Sequence, residues 1–117
     1  MSRQQDWAQR AFSAVTAQKT KTATEKKYAT YCMKTPSLLL QSGLVQTTAF
    51  LRSRGEEAAK AYLDDLAKTL GEPSGDKLDH RARTAALGDY LRLSRDAVAV
   101  ASWFRRFAQV ELETGVE

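Results

Sequence analysis

The side chains able to do chemistry are few in this chain of 117 residues, which holds a single histidine, His80, and a single cysteine, Cys32. One imidazole and one thiol cannot supply the ligands of a thiolate or imidazole zinc site, and one thiol cannot close an intrachain disulfide. Ser42-Gly43 and Ser74-Gly75 lack the flanking residues of a nucleophile elbow, and no glycine-rich phosphate loop occurs. His80 stands in the charged run Asp79-His80-Arg81-Ala82-Arg83, where a solvated imidazole without a catalytic task is expected. The acid pairs Glu56-Glu57 and Asp64-Asp65 are adjacent in sequence, so a helix splays them instead of aiming them at one proton or metal ion. The expectation is a non-enzyme with no catalytic residue, no metal and no cofactor.

What the chain does offer is positive charge. Lys and Arg number 18 against 14 Asp and Glu, a formal net charge of +4 that favours an anionic partner. The excess is local. Residues 1–34 carry seven basic groups (Arg3, Arg10, Lys19, Lys21, Lys26, Lys27, Lys34) and two acidic ones, residues 35–70 are balanced, and residues 71–117 sum to −1. A second basic pair, Arg105-Arg106, lies inside Trp103-Phe104-Arg105-Arg106-Phe107. Aromatics interleaved with arginine can stack bases while guanidinium groups hold phosphates, although such rings are more often core. The arginines differ, because apolar positions on both sides force at least one of them outward, where it suits a phosphate.

These groups must be positioned by helices. Only two prolines and six glycines are present, and no stretch alternates apolar and polar residues like a half-buried strand. The spacing predicts a first helix over Arg3 to Gln18, with Trp7, Ala11, Ala14 and Val15 on one face. The threonine-rich segment 19–24 reads as a break, and Thr24 as the cap of a helix bearing Tyr28, Tyr31 and Cys32. Pro36 is expected to interrupt or restart that helix, because it lacks an N–H and restricts Thr35 before it. A short helical piece ends at Gly43, and Leu44 to Leu51 resumes the helix until Gly55. Ala59, Tyr62, Leu63, Leu66, Ala67 and Leu70 form the cleanest amphipathic stripe, behind Glu56 and Glu57, which complement its dipole. Residues 71–76 read as a loop. A short helix around Thr84 to Leu93 follows, and Ser94 caps a last helix from Arg95 to about Glu113. Its apolar sector is wide: Ala97, Ala101, Phe104 and Ala108 on one side, Val100, Trp103, Phe107 and Val110 on the next.

A composition of 43% hydrophobic and 27% charged residues belongs to a soluble globular protein, and the length fits one domain, 1–117. The fold class expected is all-α, a single compact bundle of about five to seven helical segments. No apolar run approaches the roughly 20 residues of a membrane span. The polar N-terminus leads into no signal-peptide core, so a cytoplasmic protein with no membrane partner is expected.

Two blocks resemble a known family. The stretch from Tyr31 to Leu51 places Pro36, the aliphatic run Leu38-Leu39-Leu40, the Gly43-Leu44 step and Ala49-Phe50-Leu51 in the order of the small subunit of type III-B CRISPR effector complexes, the Cmr small-subunit family. The block Tyr90 to Ala97, continuing through Trp103 to Ala108, is similar to that family's C-terminal helix. The resemblance spans about residues 25–113. Thr35 departs from it where an aliphatic residue usually precedes the proline, and Ser42 where asparagine is common before the glycine.

The resemblance implies a non-catalytic helical subunit that stacks along an RNA-guided, RNA-targeting complex. Its implied partners are further copies of itself, the repeated backbone subunit, the large polymerase-like subunit and the crRNA–target RNA backbone. Sequence reading is then left to base pairing, and the protein touches the strand's backbone. Lys19, Lys21, Lys26, Lys27, Arg105 and Arg106 are the candidate RNA contacts, since weak cationic contacts repeated by stacked copies build one positive track. A different class of reading also exists. Gly43 to Leu51 followed by Arg52-Ser53-Arg54-Gly55 mimics a helix-turn-helix of a DNA-binding regulator, with Gln46 and Thr47 on its recognition face. A helical adaptor that binds only proteins is a third reading.

Overall fold

The computed structural model describes residues 1–112 and is built of five α-helices: α1 (Arg3–Gln18), α2 (Glu25–Ser53), α3 (Glu57–Thr69), α4 (Gly75–Thr84) and α5 (Leu87–Glu111). The first helix has the predicted bounds. A capping box starts it: the Gln5 N–H donates to Ser2 Oγ (3.1 Å), and the Ser2 N–H donates to Gln5 Oε1 (2.8 Å). Trp7, Ala11 and Val15 face inward, as their spacing predicts.

Pro36 does not interrupt α2, contrary to expectation. The helix runs through it, and only the bond to the Cys32 carbonyl four residues back is forfeited. The surrounding turns are held by packing, since Cys32, Thr35 and Leu39 are all buried. Thr35, the departure from the family pattern, points its hydroxyl at the Tyr31 carbonyl (2.7 Å) and so places no unmet donor in the core.

The break comes at Gly43, whose φ of 83° and ψ of 170° are not helical. There α2 doubles back, so that its second limb, residues 44–53, returns along the first until Arg54 Nε donates to Tyr31 Oη (3.3 Å). Tyr90 of α5 sits in the bend: its hydroxyl accepts from the Val45 N–H (3.3 Å) and lies 3.5 Å from where a Cβ on Gly43 would stand. This backbone region is essentially closed to other residues, so Gly43→Ala is expected to cost about 1–3 kcal/mol. An unchanged urea midpoint for that variant would show that the bend tolerates a side chain.

The second half of the chain departs from the predicted boundaries. Helix α4 begins at Gly75, because Ser74 Oγ accepts from the Lys77 N–H (3.2 Å) and ends the loop two residues early. Ala85, at an extended ψ of 145°, then terminates it. The last helix starts at Leu87, and Ser94, expected as its cap, lies inside it with a buried hydroxyl that has no hydrogen-bond partner among the described residues. The reason is continuity of the core stripe: Leu93 and Ala97 are already in register with Val100, Phe104 and Ala108, so one helix serves both segments. The predicted end near Glu113 lies outside the described residues.

Helix α1 runs parallel to α5, with Phe12 edge-on to Phe107 at 5.5 Å and Lys19 paired with Glu111 at 3.2 Å. The first limb of α2 runs antiparallel to α5, with Met33 opposite Arg105 and the bend at Gly43 against Tyr90. The centre is an aromatic ladder from three helices: Tyr28 meets Tyr62 at 5.7 Å and Tyr62 meets Phe104 at 5.6 Å, both edge to face. All three rings are fully buried. The result is an all-α bundle in which no helix, among the described residues, is long and apolar enough to cross a membrane.

Candidate nucleic-acid interface

The return of α2 upon itself creates a cationic concavity. Lys27, Thr30, Tyr31 and Lys34 stand at i, i+3, i+4 and i+7 on the first limb, which places them on one face. Phe50 and Arg54, one turn apart at the far end of α2, close the opposite wall, and Glu56 lies at its rim. Together these seven residues line a groove of about 340 Å³. Arg54 lies over the Phe50 ring, 5.8 Å from its centroid.

One carboxylate organises the groove. Gly55, with φ of 68°, turns the chain so that Glu56 opens α3, yet the Glu56 side chain does not cap that helix. It reaches back to α2 instead. Tyr31 Oη donates to its Oε1, Lys27 Nζ to its Oε2 (3.0 Å), and Arg54 Nε stands 3.9 Å from Oε1. The Tyr31 hydroxyl, then the Lys27 ammonium, hold the Glu56 carboxyl below the ordinary carboxylate range.

The six cations singled out in the sequence do not share this groove. Lys27 lines it. Lys26 is exposed, two turns before Met33 on the same flank of α2. Arg105 donates from Nη1 to the Met33 carbonyl (2.9 Å) and thereby ties α5 to α2. Lys19 is exposed but engaged by Glu111. Lys21, in the α1–α2 turn, lies in the field of Asp65, whose carboxyl is pushed up by burial. Arg106 is exposed on the outer side of α5, where it lines a separate groove with Gln4 and Trp103. Sequence reasoning missed Lys34 and Arg54 as site residues. The i, i+7 spacing of Lys27 and Lys34 is a usable signal for the first. Nothing local marks Arg54, which reaches Tyr31 only because the chain reverses at Gly43.

Trp103 and Phe107 are half-buried: they stack at 5.7 Å, and Trp103 Nε1 donates to Gln4 (2.8 Å). They join α1 to α5, each with one face against the other ring. The helix-turn-helix reading gains nothing from the structure. Thr47, which it needs at the surface, is 2% exposed, with its hydroxyl donating to the Gly43 carbonyl (2.8 Å). Among the described residues no group of three or more His, Cys, Asp or Glu side chains is placed to hold a metal ion.

Comparison with known proteins is consistent across sequence and structure. A family model described as "CRISPR-associated protein (Cas_Cmr5)" matches residues 3–111. The chain is 44% identical over 112 residues to the CRISPR system Cmr subunit Cmr5 of Thermus thermophilus, covering 96% of this chain and 97% of that one. The fold matches the crystal structure of a CRISPR-associated Cmr5 family protein from the same organism with a TM-score of 0.93 at 42% identity, covering 97% of this chain and 99% of the other.

Proposed function

Since the chain belongs to the Cas_Cmr5 family and is a small subunit of a type III-B Cmr system, we propose that it is a non-catalytic, cytoplasmic brick of the Cmr effector complex that holds the guide–target RNA by its phosphates. It bridges the backbone subunit, the large subunit and further copies of itself. The observation that carries this reading is the cationic face of α2, where Lys27 and Lys34 stand in line and Arg54 joins them from the returning limb. Phosphate contacts fix position without reading sequence, which suits a complex whose specificity rests on base pairing.

Within this reading Lys21, Lys26, Lys27 and Arg106 meet the strand directly, joined by Lys34 and Arg54. Lys19 and Arg105 contribute field while holding the helices together through Glu111 and the Met33 carbonyl. One copy binds feebly, and repetition along the complex supplies the affinity.

The test is target-RNA binding by the assembled complex carrying K26E/K27E and, separately, R106E. Each variant is expected to lower affinity by roughly tenfold and to flatten the dependence of log K on log salt by about one for every phosphate that a copy no longer neutralises. Unchanged affinity with an unchanged salt slope in both variants would refute the reading.

A further inference from the structure

Glu56 is placed where a ligand's anion belongs. Its carboxylate gathers a lysine ammonium, a tyrosine hydroxyl and an arginine guanidinium from two limbs of α2, none of them from its own helix. Its side chain makes no cap hydrogen bond at the α3 N-terminus and is committed to α2 alone. Lys34, exposed on the same wall, has no counter-ion among the described residues, and the half-buried Phe50 ring lies beside the cradle.

We infer that Glu56 is an internal stand-in for phosphate: a phosphodiester of the target RNA, where that strand is unpaired from the guide, displaces its carboxylate from Lys27, Tyr31 and Arg54, with the next phosphate on Lys34 and a base against Phe50. This deepens the reading given above and rests on it, because it assigns the α2 groove its ligand and its regulation. The cradle is satisfied when empty, so the free subunit resists adventitious anions. A strand must offer more than one phosphate and a base face to prevail over a tethered competitor. Displacement also leaves Glu56 to recruit a cation from solution, which offsets one of the counterions released by the RNA.

The experiment uses the full chain and a fluorescent single-stranded oligouridylate of about 12 nucleotides, followed by anisotropy across a range of salt concentrations. E56Q keeps the shape and removes the competing charge. It is expected to bind roughly fivefold more tightly than the parent and to steepen the salt slope by about one. Lys34→Ala is expected to weaken both backgrounds by roughly threefold to fivefold. F50L, which retains an apolar side chain against the core, is expected to lose at least about fivefold through the missing ring.

If E56Q binds no more tightly and its salt slope is unmoved, the stand-in assignment is overturned, whether or not charge reversal weakens the assembled complex. The two failures are therefore separable. If inorganic phosphate displaces the oligonucleotide from E56Q stoichiometrically and F50L binds like the parent, the groove is a plain anion site and the strand assignment falls. Thermal melts of each variant identify any change that merely unfolds the chain.

Discussion

Phe104→Ala is expected to lower the unfolding free energy by about 3–5 kcal/mol, a large share of the roughly 5–15 kcal/mol that holds a domain of this size. Phe104 is fully buried and forms the end of the ladder through Tyr62 to Tyr28, so its ring is shared by α5, α3 and α2. Removing it opens a cavity bounded by rings that cannot collapse without tilting a helix. Phe107, three residues on, gives the contrast. It is half-buried between Phe12 and Trp103, and its truncation is expected to cost at most about 1.5 kcal/mol. Urea unfolding of both variants decides the matter. Equal midpoints would mean that the ladder does not tie the three helices together.

The ladder also shows which parts of the fold are legible in the sequence. Tyr62 and Phe104 each fall on the correct helical stripe, because a stripe needs only the period of a helix. Local rules fail where two of them compete. Pro36 disfavours a helix, but the burial of Cys32, Thr35 and Leu39 around it outweighs one missing bond. Ser94 is a good cap, yet Leu93 before it already belongs to the core stripe, and a capping preference of about 1 kcal/mol yields to that burial. Ser74 does not stand out as a cap because Gly75 follows it, and glycine signals a loop. Gly43 is recognisable as a helix end. That the chain there reverses completely is a tertiary fact, visible in Tyr90 filling the bend.

The candidate site is half legible for the same reason. A sequence shows charge, and it places the positive excess in the first third of the chain, where Lys27 and Lys34 stand. It does not show which charges are already engaged. The hydrogen bond of Arg105 to Met33 crosses 72 residues, and the ion pair of Lys27 with Glu56 crosses 29. The position of Glu56 in the sequence suggests only an acid complementing the dipole of α3. Its role in the groove depends on Tyr31 and Arg54, which only the reversal at Gly43 makes neighbours.

That reversal must itself be held, and Asp79 of α4 holds it. Its carboxylate is buried and accepts from Thr48 Oγ1 (2.8 Å) and Arg52 Nη1 (2.9 Å) on the returning limb, and from Arg83 Nε (3.2 Å) on its own helix. Burial works against the charged form, but the hydrogen bond from Thr48, then those from Arg83 and Arg52, outweigh it and keep the carboxyl below its ordinary value. Asp79→Ala is expected to cost about 2–4 kcal/mol, because it removes the polar tie between α2 and α4 and leaves a void among charged groups. The loss is bounded: Arg52 retains Asp76 at 3.1 Å, and the Thr48 hydroxyl can turn its one proton to the Val45 carbonyl, 3.2 Å from Oγ1. The sign of the pH dependence follows. A carboxyl whose folded pKa lies below its unfolded value stabilises fully above the unfolded value of about 4 and loses that contribution as pH falls through the folded one. The stability gap between the parent and D79N is therefore expected to be constant from neutral pH down to about pH 5 and to shrink in more acidic solution. A gap that stays flat down to about pH 3 would show that the hydrogen bonds to Asp79 do not depend on its charge. A returning limb loosened by this substitution also carries Arg54 away from Tyr31, so D79A is expected to weaken RNA binding by the groove although Asp79 is not one of the seven residues that line it.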